Sequence, residues 1–177
     1  FGQNYCHRSN RLRKSWQMTT AEYNSCVNKY ADGVYRFILK NIGETERARD
    51  IVQDSFLKMW ERAGEISSEK AKSYLFTTAY HTMIDDIRRN KRLTSLDENS
   101  AGITVNNTYS DLQKVLETAL AKLPDIQKAV ITLRDYEGYS YEEIGSITGL
   151  NESQVKVYIY RARLSLKNYI RSLDTVL

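Results

Sequence analysis

Apolar side chains recur at steps of three and four along most of this chain, the spacing that builds one face of an α-helix. Val27, Tyr30, Val34, Phe37 and Ile38 form a first stripe, which breaks at Asn41–Gly43. Ala48, Ile51, Val52, Phe56, Met59 and Trp60 form a second. The polar stretch 64–72 predicts a loop. A third helix carries Phe76, Tyr80, Met83, Ile84 and Ile87 and ends in the run Arg88-Arg89-Asn90-Lys91-Arg92. Residues 94–110 contain no Lys or Arg and are rich in Ser, Thr, Asn and Gly, which predicts a flexible linker. Beyond it, Leu112, Val115, Leu116, Ala119, Leu120 and Leu123 share one face. Pro124, the only proline, interrupts the period, and Ile126, Ala129, Val130 and Leu133 resume it. The expected fold is all-α: two small helical domains, 20–93 and 111–177, joined by 94–110. Residues 1–19 precede them as an arm, and 1–17 carry no functional expectation: a basic arm and a remnant ahead of a start at Met18 both fit. One continuous bundle would have to bury the polar linker. The pattern leaves open whether the two domains are splayed or closed on each other.

The sharpest local signal is SYEEIGSITGLNESQVKVYIYRAR, residues 140–163. Ser140 and Glu143 have the spacing of a capping box that starts a helix at Tyr141. Gly145 is small where a second helix crosses, and Gly149 suits the positive φ of a tight turn. Asn151 and Gln154 repeat the capping pattern, and Val155 packs back on the first helix. This is the spacing of a helix-turn-helix, whose second helix enters the DNA major groove. From Ser153 to Leu173 that helix carries Lys156, Arg161, Arg163, Lys167 and Arg171 and no acid. It is therefore set against phosphates, with Ser153, Gln154 and Lys156 in the first turn facing base edges.

Composition narrows the field rather than naming a function. The 177 residues hold 26 basic and 22 acidic side chains. The whole excess of +4 sits in residues 1–17, so the two domains are formally neutral and net charge gives no argument for DNA binding. Cys6 and Cys26 with His7 and His81 are too few for a disulfide framework or a zinc site, which points to a reducing compartment, most simply the cytoplasm. There is no secretory signal or membrane span, no Gly-rich phosphate loop and no Ser/His/Asp arrangement, so neither enzyme chemistry nor a cofactor is expected. Asp85-Asp86 reads as helix surface.

On the third helix, Thr77, His81, Asp85, Arg88 and Arg92 share one face, opposite Phe76, Tyr80 and Ile84. A basic face beside stacking aromatics suits single-stranded nucleic acid, although core packing explains the aromatics equally well.

Three blocks taken in order, ARDIVQDSFLKMWE at 48–61, YLFTTAYHTMIDDIRRNKR at 74–92 and LPDIQKAVITLRDYEGYSYEEIGSITGLNESQVKVYIYRAR at 123–163, resemble a bacterial sigma factor of the extracytoplasmic-function (group 4) type, over about Thr20 to Ser172. The resemblance implies promoter-specific initiation with core RNA polymerase, no catalytic residue, an anti-sigma factor as a further partner and no membrane insertion. It assigns Asp50, Gln53, Asp54, Phe56, Leu57 and Trp60 to polymerase docking. Thr77, Tyr80, His81, Asp85, Arg88, Arg89 and Arg92 fall to the −10 element, where the 64–72 loop would read a flipped base. Ser153, Gln154, Lys156, Val157, Arg161 and Arg163 fall to the −35 element. The chain departs from the family at two places: Tyr74 stands where Trp is usual, and His81 where Asn is usual. An autonomous, dimeric helix-turn-helix regulator is the competing reading. It has no use for the 48–61 block.

Overall fold

The computed structural model describes residues 18–94 and 111–174, and every regular element among them is helical. The N-terminal unit holds α1 (Thr20–Ile42), α2 (Thr45–Glu61) and α3 (Ala71–Thr94), with a short 3-10 turn, Ser68–Lys70, before α3. The C-terminal unit holds α4 (Asp111–Ala121), α5 (Asp125–Ile131), α6 (Tyr141–Thr148) and α7 (Glu152–Asp174). A π-helical turn, Thr132–Tyr136, extends α5. The proposed linker and the first seventeen residues lie outside the described residues.

Local chemistry sets most of the boundaries. Thr19 caps α1 through its side chain and Glu22 completes the box, both groups bonding across the first turn. Gly43 and Gly149 close α1 and α6 at φ of 78° and 75°, a region that costs an L side chain about 1–2 kcal/mol. Pro124 sits at the N-cap of α5, the end of a helix that tolerates its missing N–H. The stretch 64–72 departs from the expected loop. Ile66 and Ala71 are buried, which pulls the chain into the core and starts α3 at Ala71 despite the polar composition around them.

Within the N-terminal unit, α1, α2 and α3 pack around Val34, Phe37, Ile38, Met59, Leu75 and Met83. The two units are closed on one another. The same core runs on through Phe76 into Tyr139, Ile144, Val155 and Ile159 of the C-terminal unit. The Phe76 ring meets Tyr139 edge-on with centroids 5.0 Å apart, and α6 lies along α3. A smaller cluster of Leu120, Leu123, Ile131 and Ala162 holds α4 and α5 to α7.

Candidate nucleic-acid interface

The helix-turn-helix is built as its sequence demands. The Ser140 hydroxyl accepts from the Glu143 N–H at 3.2 Å, and Glu143 Oε2 accepts from the Ser140 N–H at 2.8 Å. The Ser140 backbone N–H first, and its hydroxyl second, hold the Glu143 carboxyl below its usual range. A Cβ on Gly145 would stand 2.7 Å from the Leu150 carbonyl oxygen, so the close approach there is made by the turn rather than by the second helix. Asn151 and Gln154 exchange the second pair of capping bonds, at 3.0 and 2.8 Å. Val155 is fully buried and fixes the rotation of α7.

That rotation sorts the residues assigned to the −35 element. Ser153, Lys156, Val157 and Arg161 are exposed on the outer face. Gln154 is exposed too, but its amide oxygen is committed to the cap, so it is a structural residue first. Lys156 pairs with Glu152 at 2.6 Å, one turn back, and this bond raises its pKa. Arg163 is exposed as well, but its guanidinium is committed to Asp135 by two bonds, at 3.3 and 2.6 Å. Sequence reasoning passed over Tyr160, which is 68% exposed between Lys156 and Leu164 on the same face. The signal was available: Val155, Ile159 and Ala162 make the buried stripe, and Tyr160 falls outside it.

On α3 the polar face is intact. His81, Asp85, Arg88, Arg89 and Arg92 are exposed and Thr77 is half-buried. Arg88 lies 3.7 Å from Asp85, and Arg92 reaches back to the Arg88 carbonyl. Tyr80 corrects the expectation: it is 6% exposed, inside the shared core, and burial raises its hydroxyl pKa. Its ring still touches His81, at 5.4 Å between centroids, so it supports the polar face from beneath instead of presenting a stacking surface. Tyr74, half-buried, packs on the core. Behind this face, Arg47 of α2 binds Asp86 and Glu44 and so ties α2 to α3.

The outer side of α2 carries a third set. Asp50, Gln53, Asp54, Leu57 and Trp60 are exposed, Leu57 at 52% and Trp60 at 45%. Phe56 is not among them. It is 8% exposed and belongs to the core, and its carbonyl accepts from the Tyr23 hydroxyl. Tyr23 in turn stacks edge-on against Trp60 at 4.8 Å, holding that indole upright at the surface. Asp54 pairs with Lys58 at 3.0 Å, and Lys58 also donates to Thr82 of α3.

Comparison with known proteins assigns both units to one family. The family model for "Sigma-70 region 2" matches residues 26–93, and that for "Sigma-70, region 4" matches 113–166. Among curated relatives, the chain is 31% identical over 153 residues to RNA polymerase sigma factor SigV of Bacillus subtilis, covering 84% of this chain and 91% of that protein. It is 30% identical over 151 residues to RNA polymerase sigma factor YlaC of the same organism, covering 78% and 86%. Among solved structures it is similar to the sigma factor RpoE in complex with the anti-sigma factor NepR from Bartonella quintana, with a TM-score of 0.73 at 23% identity, covering 86% of this chain and 98% of that one. Both halves match one family in order, and nothing in these matches supports the autonomous dimeric regulator.

Proposed function

The chain belongs to the sigma-70 family, in its extracytoplasmic-function group, and directs promoter-specific initiation of transcription; from that premise we propose how its surfaces divide the work. One observation carries the division: three separate helices each present an uncovered face of the chemistry that its step requires. On α2, Leu57 and the Tyr23-braced Trp60 stand beside Asp50, Gln53 and Asp54. A hydrophobic anchor rimmed by carboxylates fits a basic helical element of core RNA polymerase. On α7, Ser153, Lys156, Val157 and Tyr160 face the major groove of the −35 element while Arg161 holds phosphate. On α3, His81 and Asp85 face the −10 strand and Arg88, Arg89 and Arg92 hold its backbone. Tyr80 and Phe56 act from the core. Domain limits at 20–93 and 111–177 follow the same division, with 94–110 as the tether.

Catalysis of RNA synthesis stays with the polymerase, and this chain contributes binding free energy alone. Unstacking a base costs a few kcal/mol, offset by contacts that exist only once the strand is melted. No helix among the described residues is long and apolar enough to cross a membrane, and the chain acts in the cytoplasm beside the polymerase. An anti-sigma factor is its expected regulator, as in the RpoE complex.

The test is co-elution with sigma-free core RNA polymerase. Wild type co-elutes, Leu57→Ala and Trp60→Ala weaken the complex, and Phe56→Ala lowers thermal stability instead. A folded wild-type chain that never co-elutes would overturn the proposal.

A further inference from the structure

The contacts that close the two units have a direction. Arg36 Nε lies 3.6 Å from Glu137 Oε1, and Lys91 Nζ lies 2.6 Å from Asp125 Oδ2. Lys40 stands 4.0 Å over the Tyr136 ring, and Lys72 stands 4.2 Å over the Tyr139 ring. In all four, the cation belongs to the N-terminal unit and the carboxylate or aromatic face to the C-terminal unit. Lys128 runs the other way, donating to the Asn41 carbonyl at 3.2 Å. Phe76, edge-on to Tyr139, and Tyr80 belong to the core that the two units share. Lys72 and Lys91 bracket about 28 Å of α3 at 1.5 Å per residue, roughly the length of eight nucleotides at 3.4 Å each.

We propose that this face of the N-terminal unit (Arg36, Lys40, Lys72 and Lys91 around Phe76 and Tyr80) is a further single-stranded-DNA surface, which the C-terminal unit covers with Asp125 and Glu137 in place of phosphates and Tyr136 and Tyr139 in place of bases. Cations flanking buried rings are what a stacked, anionic strand requires, and the cover supplies both parts of that chemistry. The proposal rests on the reading of α3 as a strand-binding helix and extends it to a second side of that helix.

The polar part of the cover is imperfectly matched. Glu137 Oε1 and the Tyr139 hydroxyl are buried without a hydrogen-bond partner, an arrangement that burial penalises. The Glu137 carboxylate lies close over Gly33 of α1, where a Cβ would stand 3.0 Å from Oε2 and make the carboxylate give by a few tenths of an ångström. A cleft of about 470 Å³, lined by Asn41, Ile42, Arg47, Ile87, Asn90 and Lys91 of the N-terminal unit, meets the C-terminal unit at Asp125. A ligand with better-matched groups would displace such a cover.

The full-length chain and a labelled oligothymidine of about twelve nucleotides test this by fluorescence anisotropy, with the radius of gyration measured in parallel. Asp125→Asn with Glu137→Gln loosens the cover, and Gly33→Gln places a side chain in the space that Glu137 occupies. The expected result is an expanded chain whose affinity for the oligonucleotide rises about tenfold when the open form was about a tenth of the population. Adding Arg36→Gln, Lys40→Gln and Lys72→Gln then removes the gain and lowers the salt slope by about 2. An expanded chain with unchanged affinity overturns the proposal, as does a gain that survives loss of the three cations. A chain that stays compact in both loosened variants overturns it too, because the named contacts would then not hold the cover. Equal binding of poly-glutamate overturns the nucleic-acid assignment in favour of an acidic protein partner. Co-elution of wild type with core polymerase, read on the same samples, tests the underlying function separately.

Discussion

Helices α3 and α7 are nearly equal in length, 24 and 23 residues, yet they treat their apolar side chains in opposite ways. On α3, Ala71, Leu75, Phe76, Ala79, Tyr80 and Met83 are all buried, because α1 and α2 cover one flank and α6 another. Among the described side chains of α7, only Val155, Ile159 and Ala162 are buried, while Val157, Tyr160, Leu164 and Ile170 are exposed. A helix covered from two sides has only a narrow stripe left for a ligand, and on α3 that stripe is polar and basic. A helix covered from one side can offer apolar groups as well, and α7 does. The difference matches what each faces: phosphates and a melted strand on one, the methyl-bearing edges of an intact major groove on the other.

The largest expected effects test that contrast directly. Met83→Ala and Ile159→Ala each remove a buried side chain and lower the stability to unfolding by about 2–5 kcal/mol. Their outward neighbours, His81→Ala and Tyr160→Ala, stay within about 0.5 kcal/mol of wild type. Thermal and denaturant unfolding decide this, and a Tyr160 variant as damaged as the Ile159 variant would break the comparison. A smaller loss, about 1 kcal/mol, is expected for Ser140→Ala, which removes the cap that starts α6 and leaves α3 untouched. Hydrogen exchange would locate the loss in the C-terminal unit.

The Glu143 carboxylate sharpens the same point through pH. Its folded pKa is lowered, so the stability that it lends is complete above its ordinary value near 4.5 and is lost as pH falls through the lowered one. Unfolding midpoints followed across that window should fall more steeply for wild type than for Glu143→Gln. The smallest effect concerns binding alone. Arg161→Ala should weaken promoter duplex binding by the holoenzyme about equally for all sequences and reduce the salt slope by about 1, with unfolding unchanged.

Much of this was legible in the sequence, and the reason is locality. Capping boxes at Ser140 and Asn151, the turn at Gly149 and the stop at Pro124 depend on neighbours within four residues, so spacing reveals them. The polar stripe of α3 was legible for the same reason, since one helix period defines it. The burial of Tyr80 and Phe56 was not. Each lies on an apolar stripe wide enough to serve core or surface, and only the partner chosen by the other elements decides. The start of α3 was misjudged because Ile66 and Ala71 are anchored by tertiary contacts that polar composition conceals. The closed pose lay beyond reach, since its contacts join residues such as Arg36 and Glu137 that are about a hundred positions apart.

The π-helical turn at Thr132–Tyr136 can be viewed as a phase shift written into α5. The Glu137 N–H bonds to the Thr132 carbonyl, five residues back, so one residue more than an α-helix allows is wound into that turn. Each residue of an α-helix is worth 100° of rotation, and Tyr136, Glu137 and Tyr139 all follow or close the extra one. Deleting a single residue there would keep the composition of the cover nearly intact while aiming its carboxylate and rings elsewhere. The orientation of the cover would then be inherited as a length, and a one-codon change would reset it where most point substitutions would not.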